Sequence, residues 1–200
     1  RWLRGSALKQ LGRDEEARVE LEECLPLISG TDLEVDLVEA LAELCSRLGD
    51  HERVVDHAGR ALEIEPTRLF SADLNIRALL ELERTDEACA AADSALQRAA
   101  PDGVLDLAQL IHRFQESGHP GAALKLAERA LDRLQGAAGP VADLARAARG
   151  ETPTATRRES LGDHRSAVLT LVRTRIETLH ATGQSDEAIR ALAAVYRVAG

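Results

Sequence analysis

The residues of this chain that could do chemistry are six histidines, three cysteines and a dense set of carboxylates. Their spacing argues against most of that chemistry. A zinc site on one helix needs ligands three or four residues apart, with further groups converging on the same point. His51 and His57 are six apart and fall on roughly opposite sides of a helix, and His119 and His164 lie in turns. These histidines read as solvent-facing or capping residues. Adjacent carboxylates such as Glu15–Glu16 and Glu22–Glu23 diverge around a helix, so they form solvated faces rather than an acid/base pair. Cys24 and Cys45 occupy inward positions as small apolar fillers, with no neighbouring base to activate a thiolate. The GAAG run at 136–139 lacks both the lysine and the flanking strand of a phosphate-binding loop. The chain is expected to have no catalytic residues, no metal and no cofactor.

The elements that carry these residues are helices. Apolar residues make up 44% of the chain but aromatics only 2%, so the core must be built from Leu, Ala, Val and Ile. Ala and Leu favour helix, and β-branched runs are scarce. The net charge of −9 comes with no basic stripe, which argues against nucleic acid as a partner. No apolar run approaches the ~20 residues of a membrane span. Cys24, Cys45 and Cys89 form no Cys-x-x-Cys pair, which fits a reducing, cytoplasmic compartment. There is no methionine and no opening signal peptide, so the chain reads as a trimmed or partial piece of a longer protein. Its basic residues are nearly all arginine, a composition that suggests a GC-rich bacterial genome.

Four segments share one frame: LKQLGRDEEARVELEECL, AELCSRLGDHERVVDHAGRAL, LLELERTDEACAAADSAL and FQESGHPGAALKLAERAL. A fifth, ETLHATGQSDEAIRALAAVY, follows. Anchored on Gly12, Gly49, Glu83, Gly118 and Gly183, they align in columns. Five residues after the turn stand Ala17, Val54, Ala88, Ala123 and Ala188. Twelve after it stand Cys24, Ala61, Ala95, Ala130 and Val195, each followed by a large residue: Leu25, Leu62, Leu96, Leu131 and Tyr196. Seven before it stand Gly5, Ala42, Ile76, Ile111 and Ile176. Small and large residues alternating at fixed helical offsets are what a packed helix pair requires. Asp14, Thr85 and Ser185 fall where an N-cap belongs, each followed by carboxylates suited to a first helical turn. Pro120 takes a first helical position, and Pro66 and Pro101 stop second helices.

This pattern resembles the tetratricopeptide repeat, about 34 residues in two antiparallel helices ending in proline. The second repeat, from Val35 through LEIEP to Pro66, matches best. The resemblance covers residues 1–135, and more loosely 166–199. Val54 in a small column, Glu83 at a glycine position, and Leu or Ala at aromatic positions depart from the motif. The implied fold class is all-α, a right-handed α-solenoid of helix-turn-helix repeats at about 1–34, 35–68, 69–103, 104–136 and 166–200. An irregular insert occupies about 137–165. It reads as a turn, a short helix near 141–149 and a polar loop near 150–160: either a degenerate repeat with a loose loop, or a docking element using Arg146, Arg149, Arg157 and Arg158. LGDHRSA at 161–167 offers a competing turn at Gly162, but Gly183 fits both cap and core columns.

In this family the first helices of the hairpins line a concave surface that binds partners. Carried over position by position, the expected face includes Trp2, Ser6 and Ala108. Its candidate partner-binding residues are Asp36, Glu39, Glu43, Arg47, Asp73, Arg77, His112, Gln115, Glu116, Arg173 and Glu177. The early carboxylates argue against a guest carboxylate and for a peptide or protein bearing Arg or Lys. Ile189, Leu192, Val195 and Tyr196 are expected to form a face on the last helix with no later helix to cover it, so that either the natural protein extends further or the face meets another chain, as in self-association. The function implied is a non-enzymatic interaction scaffold. The alternative is a regulatory or substrate-recruiting region of a larger bacterial enzyme or transcription regulator.

Overall fold

The computed structural model describes residues 1–99, 108–135, 145–149 and 165–199. Among them there is no strand. The chain divides into two compact units, Arg1–Ala91 and Ala92–Gly200.

In the first unit, α1 (Trp2–Gln10) pairs with α2 (Asp14–Glu22), and α4 (Glu34–Leu48) pairs with α5 (His51–Ile64). α4 packs on α2, and α6 (Leu69–Glu81) packs on both α5 and α4. Each new first helix thus settles against the hairpin before it. Between α2 and α4 lies a short α3 (Leu25–Ile28). Pro26 accounts for the break, because it has no N–H to continue the ladder of α2. α7 (Thr85–Arg98) begins in this unit. In the second unit, α8 (Ala108–Glu116) pairs with α9 (Pro120–Gln135), and α10 (Arg165–Ala181) pairs with α11 (Ser185–Ala199). α10 packs on both α8 and α9, the arrangement α6 has with α4 and α5. The 29 residues separating α9 from α10 in sequence do not keep the two helices apart.

All five turns are built alike. Gly12, Gly49, Gly118 and Gly183 have φ between 72° and 83°, and Glu83 has φ 58°. This left-handed conformation ends a helix with two bonds running back to its last turn. The residue after the turn donates to the carbonyl five residues earlier: Arg13 to Leu8, Asp50 to Cys45, Arg84 to Leu79, His119 to Phe114 and Gln184 to Leu179, at 2.8 to 3.0 Å. That same residue's carbonyl then accepts the first bond of the next helix, as Arg13 does from Ala17 at 2.9 Å and Arg84 from Ala88 at 3.0 Å. The caps therefore fall one residue earlier than expected. α2, α7 and α11 start at Asp14, Thr85 and Ser185 themselves. Asp50 caps α5 with its side chain, accepting from the Arg53 amide at 3.3 Å. Arg13 and Arg84 instead each grip a carboxylate three residues on, with Nε 2.7 Å from Glu16 and 2.7 Å from Glu87.

The small columns are the core. Ala17, Val54, Ala88, Ala123 and Ala188 are buried, as are Cys24, Ala61, Ala95, Ala130 and Val195. Leu21, Leu37, Leu41 and Leu44 cluster with Ala17 and Cys24 in the first unit, and Phe114, Leu126, Leu131 and Leu171 are fully buried in the second. Each such large side chain contributes roughly 1.5–3 kcal/mol by leaving water. Gly5 sits where α1 and α2 touch, and a Cβ there would come within 2.5 Å of Leu21 Cδ2.

Several expectations need correction. Val195 is buried rather than part of an open face, since twelve residues past the turn a side chain points at the paired helix. Ile189 and Leu192 are exposed, and the Tyr196 side chain lies outside the described residues. A helical turn is present at 145–148; the proposed loop at 150–160, Arg157, Arg158, Gly162, His164 and Pro101 lie outside the described residues. Among the described residues no helix is long and apolar enough to cross a membrane.

Candidate partner-binding face

The candidate face is carried by the first helix of each hairpin, and a pair of side chains at the same two offsets from the turn recurs once in each unit. In the first unit Lys9, three residues before one turn, is ion-paired with Glu43, six before the next. In the second unit Gln115, three before its turn, donates to Glu177, six before the next, at 3.2 Å. The separations are 34 and 62 residues, so the insert adds sequence without shifting the register. Beside that pair, Thr174 Oγ1 lies 3.3 Å from His112 Nδ1, and Arg173 Nε lies 2.7 Å from Glu177 Oε1. The Arg173 guanidinium, with help from Gln115, holds the Glu177 carboxyl below the usual carboxylate range. His112 Nε2 is 3.7 Å from the exposed Glu116.

The expected carboxylates of the first unit are already neutralised from within. Arg68 reaches Asp36 at 2.7 Å, Glu39 at 3.0 Å and Glu65 at 2.6 Å. Ser71 adds a hydroxyl donor to Glu39 at 2.6 Å. Arg47 lies 2.9 Å from Asp14, and Arg77 lies 3.3 Å from Asp73 one turn away on α6. The acidic surface inferred from α4 and α6 is thus a set of ion pairs. The two cations that change its character, Lys9 and Arg68, sit outside the positions carried over from the family. Exposed pairs of this kind are worth about 0–1 kcal/mol each, so they give way to a competitor at little cost.

An open cleft of about 480 Å³ lies on this face between α1 and α4, lined by Ser6, Lys9, Gln10, Leu21, Ala40 and Arg47. Its lining combines apolar Leu21 and Ala40 with polar Ser6, Lys9, Gln10 and Arg47. Trp2 and Ala108 do not belong to the open surface: Trp2 packs against the core around Leu8, Leu21 and Leu41, and Ala108 is fully buried. Asn75 is half-buried, and its Oδ1 is buried without a hydrogen-bond partner. The candidate residues fall into two groups. Asp36, Glu39, Glu43, Arg47, Asp73 and Arg77 belong to the first unit, and His112, Gln115, Glu116, Arg173 and Glu177 to the second. The sequence reading missed Lys9, Asp14, Arg68, Ser71 and Thr174. An opposite-charge pair one repeat apart, such as Lys9 and Glu43, was the available signal.

Among the described residues no cluster of His, Cys, Asp and Glu could hold a metal ion. Cys45 is fully buried, and burial raises its thiol to about 11, which keeps it protonated and unreactive. Burial likewise lowers the pKa of His57 and favours its neutral form.

Residues 1–27 match the family model of the tetratricopeptide repeat. The fold is similar to the crystal structure of a tetratricopeptide repeat protein from Parabacteroides merdae, with a TM-score of 0.51 and 12% identity. The match covers 97% of this chain and 77% of that one. At such identity the likeness bears on fold alone. No curated protein matches the sequence.

Proposed function

We propose that the chain is a non-enzymatic interaction module, on the support of the match of residues 1–27 to the tetratricopeptide-repeat model and of a fold similar to that of such a protein. Tetratricopeptide repeats generally mediate protein–protein interaction. The hairpins are taken as links of one array, and the first-helix face as the surface that holds a peptide or partner protein. One observation supports this reading: the open cleft between α1 and α4 is lined by Leu21 and Ala40 together with Ser6, Lys9, Gln10 and Arg47. Apolar lining with a few polar groups is the usual make-up of a recognition site.

A guest carrying Arg or Lys fits Asp36, Glu39, Glu43 and Asp73, provided that it displaces the resident Lys9, Arg68 and Arg77. Such an exchange weakens as salt rises.

The test is to select peptides against the full chain from a random library. A selected peptide is then photo-crosslinked through a benzophenone side chain placed at Gln10, on the cleft, or at Glu63, exposed on α5. Labelling from Gln10 and little from Glu63 is the expected result. Equal labelling from both positions, or a library yielding no binder, would overturn the assignment. Enrichment of Arg and Lys among binders tests the charge preference separately.

Self-association belongs to the same reading through Ile189 and Leu192, exposed at 64% and 53% on α11. Replacing both by Glu should reduce any concentration-dependent assembly in sedimentation, and assembly left unchanged would remove this surface from the account.

A further inference from the structure

Phe70 is an aromatic side chain left open on the first-helix face. The sequence holds two Phe, one Trp and one Tyr. Trp2 packs against the core and Phe114 is fully buried, whereas Phe70 is 48% exposed. Thirteen residues before its own turn, Asp36 takes the same place in α4 and Thr170 takes it in α10. A ring half in water gives up part of the stabilisation it would supply in the core. Ser71, Ala72, Leu74 and Ala78 point to the interior of the first unit. Phe70, Asp73 and Arg77 therefore run along the opposite side of α6, and their spacings of three and four residues make them neighbours in one row.

The charge around the ring is not balanced. Arg77 is 3.3 Å from Asp73, long for a charged pair, and the Asp73 side chain stays 31% exposed. Two residues before Phe70, Arg68 holds Asp36, Glu39 and Glu65. Four carboxylates thus share two arginines, and the patch keeps an excess of negative charge. An open ring beside a carboxylate suits a guanidinium better than an ammonium. The planar cation stacks on the ring while its N–H edge meets the carboxylate with two parallel bonds.

We propose that Phe70 and Asp73 form a subsite for an arginine side chain of the partner. This rests on the interaction-module reading and narrows its basic guest to arginine. Phe70 takes the flat face of the guanidinium, and Asp73 takes its edge in place of Arg77.

The test is fluorine NMR on the full chain labelled with 4-fluorophenylalanine. Each phenylalanine then has its own resonance, and Phe70→Leu assigns them by removing one. The probes are N-acetyl-arginine amide, the matching lysine amide, and the matching citrulline amide, which keeps the shape of arginine without its charge. The arginine probe should shift the Phe70 signal saturably and leave that of buried Phe114 in place. The lysine probe should need about threefold more, and the citrulline probe about tenfold more, to reach half of that shift. Asp73→Asn should raise the arginine requirement about fivefold, and so should higher salt. A Phe70 signal that does not move, an equal response to citrulline, or a response untouched by Asp73→Asn would overturn the subsite. Peptides that crosslink from Gln10 while the arginine probe leaves Phe70 unmoved would remove the subsite and leave the module standing. A Phe70 response to arginine in a chain that selects no peptide would keep the subsite and remove the module.

Discussion

Arg68 bonds Glu39 at 3.0 Å across the hairpin that separates them, tying the start of α6 back to α4. The same guanidinium holds Asp36 and Glu65, so one side chain satisfies three carboxylates. The arginine is partly sheltered, at 27% side-chain exposure, and its contacts form a network rather than a lone pair. Arg68→Gln should therefore lower stability by about 1 kcal/mol, and the loss should shrink in high salt. Chemical denaturation at two ionic strengths reads both effects. A loss independent of salt would mean that Arg68 acts through its aliphatic stem.

Glu83 holds a left-handed conformation that glycine adopts freely, in a turn otherwise identical to four glycine turns. For a residue with a Cβ that conformation costs roughly 1–2 kcal/mol, and glycine returns part of the gain through its freer unfolded chain. Glu83→Gly should raise stability by about 0.5–1 kcal/mol, visible as a higher midpoint in urea. Since the side chain is exposed, a destabilised variant would indicate a contact that Glu83 makes in solution.

Ala58 is fully buried in the cluster that joins α4, α5 and α6. Ala58→Leu should destabilise the chain by about 1–3 kcal/mol through overpacking. Ala90→Leu, at an exposed place on α7, should change stability by less than about 0.5 kcal/mol. Comparable effects at the two sites would argue that helix spacing is not set by small side chains.

Glu34 is buried at the start of α4, where it accepts from the Gly30 amide and pairs with Arg60. The Gly30 N–H, seconded by Arg60, holds its carboxyl below the ordinary value. The folded state therefore prefers the ionised form. Its contribution is complete above the usual glutamate range and is lost as pH falls through the lowered value. Glu34→Gln should flatten the stability profile across that acidic window while leaving its shape near neutrality. A mutant profile parallel to the parent throughout would rule out Glu34 as a source of acid sensitivity.

Cys45 and Cys24 are buried, and Cys89 is half-buried. Titration of the native chain with a thiol-reactive disulfide at pH 8 should modify Cys89 first. Cys45, its thiol raised to about 11, should react only on unfolding. Fast labelling of Cys45 in the native chain would show that α4 and α5 open readily.

The fold was legible in the sequence because its signals are local. Gly12, Gly49, Gly118 and Gly183 mark left-handed turns, and Ala17, Ala88 and Ala123 mark close helix contacts. Even the irregular Glu83 aligned by its neighbours. The cap position was misjudged by one residue, since a serine or threonine after a turn looks like a cap until the bond through Arg13 or Gln184 is drawn. Pro26 was passed over, and with it the break between α2 and α3. The face was legible only in outline. Its positions follow from the repeat, but its charge does not: Lys9 and Arg68 meet their carboxylates from neighbouring hairpins, a matter of side-chain reach.

The continuity of α8, α9 and α10 has a consequence. Because α10 docks on α8 and α9 as α6 docks on α4 and α5, the spacing of these hairpins is set by helix-to-helix contact and not by the length of sequence between them.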